Sequence, residues 1–126
     1  MSDPFIRTRL LIGDEPLDRL ARAKVAVFGV GGVGGFCVEA LARAGVGALD
    51  LYDDDTVSES NLNRQLAALR SAIGQPKAEV LARRVADINP DCTRTQTRWT
   101  WGSMTMWWTA STPWPPSWTS PSGVPG

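Results

Sequence analysis

Apolar residues in this chain fall first at helical spacing, then in two short unbroken runs set among glycines, then at helical spacing again. Leu17, Leu20 and Ala21 share one face of a helix that Asp14 is placed to cap. Val25-Ala26-Val27-Phe28 is too short for a helix and β-branched enough for a buried strand. Over residues 35–44, Phe36, Ala40 and Leu41 recur on one helical face. A second strand, residues 49–52, runs into Asp53-Asp54-Asp55, and a polar, loop-like stretch fills residues 56–65. A last helix runs from Ala78 through Leu81, Val85 and Ile88. It stops before Asn89-Pro90, because the residue ahead of a proline is pushed out of the helical region. Strand, helix, strand and helix in this order predict an α/β fold in which 25–28 and 49–52 are neighbouring parallel strands.

Between the first strand and its helix stands Gly29-Val30-Gly31-Gly32-Val33-Gly34. Gly29, Gly31 and Gly34 have the spacing of the nucleotide-binding turn, and the acidic residue that turn requires about 20 positions on is Asp53. A β-carbon at the first position obstructs the turn, at the second it holds phosphates off the backbone, and at the third it pushes helix from strand. The helix start then offers amides and a favourable dipole to an anion. The same glycines also read as a plain turn.

The loop places Asn61, Arg64 and Gln65 just past the carboxyl end of the second strand, the edge where ligands of open parallel sheets sit. Arg64 suits a bidentate phosphate clamp, and Asn61 and Gln65 offer neutral hydrogen bonds. A surface loop with one arginine fits equally well. Pro76 belongs to the turn before the last helix or to its first position, so Lys77 falls in the first turn, where the dipole disfavours a cation. A nearby anion reverses that disadvantage, which favours a phosphate-binding lysine. Arg7 and Arg9, in the leader, read as solvated charges.

Composition narrows the classes further. The 126 residues make one domain's worth of chain, and a net charge of zero gives no reason to expect a polyanion partner. No apolar run approaches the roughly 18 residues of a membrane span, so no membrane is expected and the location reads as cytoplasmic. Cys37 and Cys92 lack metal or redox spacing and read as reduced thiols, with Cys37 packed inside its helix.

The motifs taken together resemble one family. Gly29–Gly34, Asp53-x-Asp55, Asn61-Leu-Asn-Arg-Gln65, Gly74-x-Pro-Lys77 and Ile88-Asn-Pro-Asp-Cys92 resemble the ThiF/MoeB adenylating superfamily, of the type that includes ubiquitin-activating enzymes. Arg7-Thr-x-Leu-Leu-Ile-Gly13, Glu39-Ala-Leu-Ala-Arg-x-Gly45 and the Ile88–Cys92 element resemble, more specifically, the tRNA threonylcarbamoyladenosine dehydratases. The resemblance covers about residues 5–92. It implies a Rossmann-like sheet, ATP with Mg2+, and attack of a carboxylate on the α-phosphate, followed in the dehydratase branch by cyclisation with loss of AMP. It implies that Gly29, Gly31, Gly32 and Gly34 approach the phosphates, with Asp55, Asn61 and Gln65 in the same nucleotide site. Asp53 would hold the ribose, and Arg64 and Lys77 would neutralise charge on the phosphates. It further implies a homodimer, in which Arg7 reaches the other copy's nucleotide, and a tRNA substrate. A sulfur-carrier protein substrate, a nucleotide-binding fragment without catalysis and an NAD-dependent dehydrogenase are the alternatives. The last leaves Arg64 and Lys77 without a role.

The family's next strand, with an aspartate that holds Mg2+, is not evident after Cys92. All Asp and Glu lie at or before Asp91, and all six Trp at or after Trp99. The chain therefore divides into residues 1–92, the first part of a nucleotide-binding domain, and residues 93–126, an irregular tail rich in Trp, Pro, Ser and Thr. Such a tail also suits a stacking surface or a membrane-interface segment, but the single codons of Trp and Met favour a frameshift. Read one base earlier, Met104-Thr105 forces Asp, Met106-Trp107 and Trp107-Trp108 force Val, and Trp108-Thr109 forces Asp. An Asp-x-Val-Val-Asp run resembles the missing strand and its aspartate, so the chain as written is expected to be impaired as an enzyme.

Overall fold

The computed structural model describes residues 3–97. Helices α1 (Ile6–Ile12) and α2 (Asp14–Arg22) precede β1 (Lys24–Phe28), α3 (Gly32–Ala44), β2 (Ala48–Tyr52), α4 (Lys77–Ile88) and β3 (Thr93–Thr97). Single 3-10 turns occur at Glu59–Asn61 and Arg70–Ala72. The strands form one parallel sheet in the order β1-β2-β3, with Lys24 opposite Ala48 and Ala48 opposite Thr93. The two strands predicted from the sequence are neighbours and parallel, and each begins one residue earlier than expected.

The third strand corrects the boundary drawn at Cys92. Thr-Arg-Thr-Gln-Thr has no aliphatic residue and so gives no hydrophobic period. Its alternating threonines nonetheless suit extended backbone, and pairing with β2 satisfies their amides and carbonyls. The remainder of the tail, residues 98–126, lies outside the described residues.

One sheet face carries the core. Val27, Leu49 and Leu51 point into it and pack with Val38 and Ala42 of α3 and Leu81 and Val85 of α4. The other face carries Asp50 at its centre, which accepts from the Thr95 hydroxyl and lies 3.3 Å from the Lys24 ammonium. At its carboxyl end Phe28 and Tyr52 stack with ring centroids 4.6 Å apart.

Helix α3 turns a different side inward from the one its large residues suggest. Phe36 and Cys37 are exposed, as is Ala40, while Gly35, Val38 and Ala42 are buried. This side faces the core: a β-carbon on Gly35 would make ordinary van der Waals contact with Leu66 Cβ at 3.6 Å and Leu81 Cδ1 at 3.8 Å. Small residues therefore mark the inner face, and Phe36 lies off it. Cys37 is accordingly not packed, whereas Cys92 is buried, and both thiols are free. Burial pushes the Cys92 thiol above its ordinary pKa, against a smaller opposing effect of Arg94. Asp14 does not cap α2 either. Gly13 takes the cap position at φ 85°, and Asp14 is the first helical residue, paired with Arg9.

Glu39 joins the two core helices. Its carboxylate accepts from Arg84 of α4 (2.9 Å from Nε) and from Arg43 one turn along α3 (3.0 Å). Burial pushes its pKa up, but these two guanidinium bonds outweigh it and hold the group below the ordinary Glu value. A depressed folded-state pKa gives stability that is present above the unfolded value, about 4.3, and lost as pH falls through the folded one. Glu39→Gln should therefore cost about 1–2 kcal/mol in urea unfolding at pH 7. The difference from wild type should shrink below about pH 4. A pH-independent difference would show that Glu39 acts by shape alone.

Candidate functional site

The carboxyl ends of β1 and β2 meet at the glycine turn. Gly29 adopts φ 84°, the left-handed region that favours glycine, and its N–H donates to Tyr52 O at 2.8 Å. The next amide, Val30 N–H, donates to Asp53 Oδ2 at 2.8 Å, and Asp53 Oδ1 accepts the Asp55 N–H at 2.8 Å. Asp53 thus pins the turn to the end of β2. Gly34 closes the arrangement from the helix side, since a β-carbon there would lie 1.7 Å from Gly29 O. A β-carbon on Gly32 would meet nothing within 4 Å, so the turn is open above the helix start. Through its first turn α3 has amides with no carbonyl partner inside the helix.

The loop candidates divide by role. Asn61 is buried and spent on local structure: its Oδ1 accepts from the Ser58 N–H and hydroxyl, both at 3.0 Å. Its carbonyl accepts the Gln65 N–H at 2.9 Å. Gln65 reaches the glycine turn, with Nε2 3.5 Å from where a Gly31 β-carbon would stand. Its Oε1 is buried without a hydrogen-bond partner among the described residues. Arg64 is exposed, donating to Ser60 O at 3.1 Å and Asn63 Oδ1 at 2.8 Å. Arg7 lies exposed on α1 and makes no hydrogen bond or ion pair with these residues among those described.

The loop returns to α4 through an antiparallel bridge between Thr56 and Pro76. Lys77 then opens the helix as its first residue. Its N–H donates to Asp55 O at 3.0 Å, and its ammonium lies 3.5 Å from Asp55 Oδ2. The anion that a lysine in this position calls for is present in the chain itself. Lys77 is deeply buried, its side chain 7% exposed against 69% for Asp55.

An open cleft of about 240 Å³ adjoins this edge, lined by Asp53, Asp54, Asp55, Glu79 and Gln96 among others. None of the turn glycines lines it. Glu79 and Gln96 were not anticipated; Glu79 had the one available signal, an acidic residue in a helix's first turn. Carboxylate oxygens of Asp53, Asp54 and Asp55 come within 4.8 Å of one another. Asp53 already holds two amides and Asp55 the Lys77 ammonium, so the trio is not a ready cation site.

An open turn at the start of α3, a pinning aspartate and a buried lysine thus stand at one edge of the sheet. The family model described as ThiF matches residues 5–111. This chain belongs to the ThiF family. The tRNA threonylcarbamoyladenosine dehydratase of Bacillus subtilis is 54% identical to this ThiF chain over 92 residues, 73% of the chain and 36% of the relative. The enzyme of that name from Escherichia coli is 49% identical over 88 residues, 70% of this chain and 33% of the relative. A crystal structure of E. coli tRNA N6-threonylcarbamoyladenosine dehydratase in complex with ATP superposes with a TM-score of 0.78 at 41% identity. That match covers 86% of this chain and 45% of the other. The chain thus spans about a third of the length of these curated relatives. The resemblance read from the motifs holds, as does the α/β, Rossmann-like class.

Proposed function

We propose that this ThiF-family chain supplies the ATP-binding half of a site that adenylates a carboxylate, that of threonylcarbamoyladenosine in tRNA, before a cyclising dehydration. The observation that carries the reading is the pinned turn: Asp53 on Val30 N–H, with Gly34 pressed on Gly29, leaves the start of α3 open to an anion. The naming of the similar dehydratases and the ATP bound to one of them support it.

On this reading the helix amides and the glycine turn receive the phosphates. Asp53 keeps the turn in shape and presents its carboxylate toward the ribose, while Gln65 brings its amide nitrogen beside Gly31. Arg64 and Lys77 offset charge that grows on the phosphates as the carboxylate attacks, the electrostatic contribution that dominates such transfers. ATP supplies the leaving pyrophosphate. The described carboxylates do not make a fitting Mg2+ site. Arg7, on a helix without buried residues whose Leu10 and Leu11 are more than four-fifths exposed, serves the site of a second copy in a homodimer. The setting is cytoplasmic; among the described residues no helix is long and apolar enough to cross a membrane.

The tail beyond β3 belongs to a shifted reading frame, so the 126-residue chain binds nucleotide and turns over poorly. Resequencing the gene across codons 92–100 tests this directly. For the site, calorimetric titration with ATP and with NAD decides between adenylation and hydride transfer. ATP should bind and NAD should not. The reverse result would remove the adenylation reading. AMP release from frame-restored protein should require tRNA carrying threonylcarbamoyladenosine, and release driven by a sulfur-carrier protein instead would reassign the substrate.

A further inference from the structure

We propose that Asp55 is a positioning residue that holds the Lys77 ammonium at the site and yields it to an arriving phosphate; this rests on the nucleotide reading above.

Lys77 is a buried cation on the first residue of a helix, where the helix dipole opposes it. Such a group needs an anionic partner. Among the described residues its one partner is Asp55 Oδ2 at 3.5 Å, well beyond the roughly 2.7–2.9 Å of a tight charged hydrogen bond. Asp55 itself is fixed from both sides. Its N–H donates to Asp53 Oδ1, and its carbonyl accepts the Lys77 N–H. The partners differ in what they lose on separating. Asp55 is mostly exposed and water replaces the ammonium readily, whereas Lys77 is buried and exchanges one anion only for another. The run Val30–Asp53–Asp55–Lys77 also couples the glycine turn to α4, so a phosphate at the turn and the lysine that meets it are set by one strand end.

The contrasting possibility is that Asp55 only fastens β2 to α4. Inorganic pyrophosphate and ATP, titrated calorimetrically into the 126-residue chain, separate the two. Asp55→Asn frees Lys77 and should tighten pyrophosphate binding by about three- to five-fold, the upper range for one partly exposed ion pair. Asp55→Ser should act in the same direction, and serves if the asparagine variant does not fold. Asp55→Glu keeps the charge and should remain near wild type. In a Lys77→Ala background the gain from Asp55→Asn should vanish. Weaker pyrophosphate binding in Asp55→Asn, or a gain that survives without Lys77, overturns the proposal. If pyrophosphate follows the expected pattern while ATP does not bind, the exchange stands and the nucleotide reading falls. ATP binding without the pattern has the opposite meaning, and loss of both overturns both.

Discussion

Gly34→Ala should destabilise the domain by about 3 kcal/mol or more, near the limit for overpacking one site. The added carbon would stand 1.7 Å from Gly29 O and 2.8 Å from Gly29 C. Both are backbone atoms, and the turn they belong to is held by Tyr52 O and Asp53. Neither side gives way cheaply, so α3 must lift off β1. Against a total of roughly 5–15 kcal/mol, that loss lowers the urea midpoint sharply. Gly32→Ala is the control, because its carbon meets nothing within 4 Å and its φ is not positive. Its stability should stay within about 0.5 kcal/mol of wild type. Equal midpoints for the two variants would show that the helix does not depend on this close approach.

In frame-restored protein, Arg64→Ala and Lys77→Ala should each slow ATP–pyrophosphate exchange by about 10²-fold, the scale of one lost charge-stabilising donor. The two act from different settings. Arg64 is exposed and held by its own loop, so its removal should leave thermal unfolding unchanged. Lys77 is buried at a helix start, and its removal leaves Asp55 facing water. Exchange that is unaffected in both variants would reduce them to structural or surface charges.

The sheet edge and the glycine turn were legible in the sequence because they depend on local chemistry. Short β-branched runs and glycine spacing report strand and turn without reference to distant residues. What failed depends on contacts between elements. Helical spacing groups Phe36 with Ala40 and Leu41 on the apolar face of α3, yet Gly35, Val38 and Ala42 are the residues that packing buries. Strand β3 escaped notice because its pairing with β2, rather than any apolar pattern, makes it a strand. At the site, the helix dipole at Lys77 signalled a missing anion, but not that Asp55 provides it. That pairing spans 22 positions of sequence and forms only when the Thr56–Pro76 bridge folds the loop back. Asn61 reads from the sequence as a hydrogen-bonding group of the site, but its Oδ1 serves to shape the loop.

The all-parallel order of the strands sets the sequence of events by which this chain folds. Among the described residues no two neighbouring strands are joined by a hairpin, so each of these pairings must wait for a crossover helix. Lys24 meets Ala48 across one helix, while Ala48 meets Thr93 across a stretch nearly twice as long. The longer closure costs about 0.6 kcal/mol more entropy. Its return is also smaller, because β3 brings no aliphatic side chain to the core. The β1–α3–β2 unit, with the glycine turn inside it, therefore forms first. Strand β3 docks late, after α4 has packed, and in amide exchange its hydrogens should be the first of the sheet's to leave.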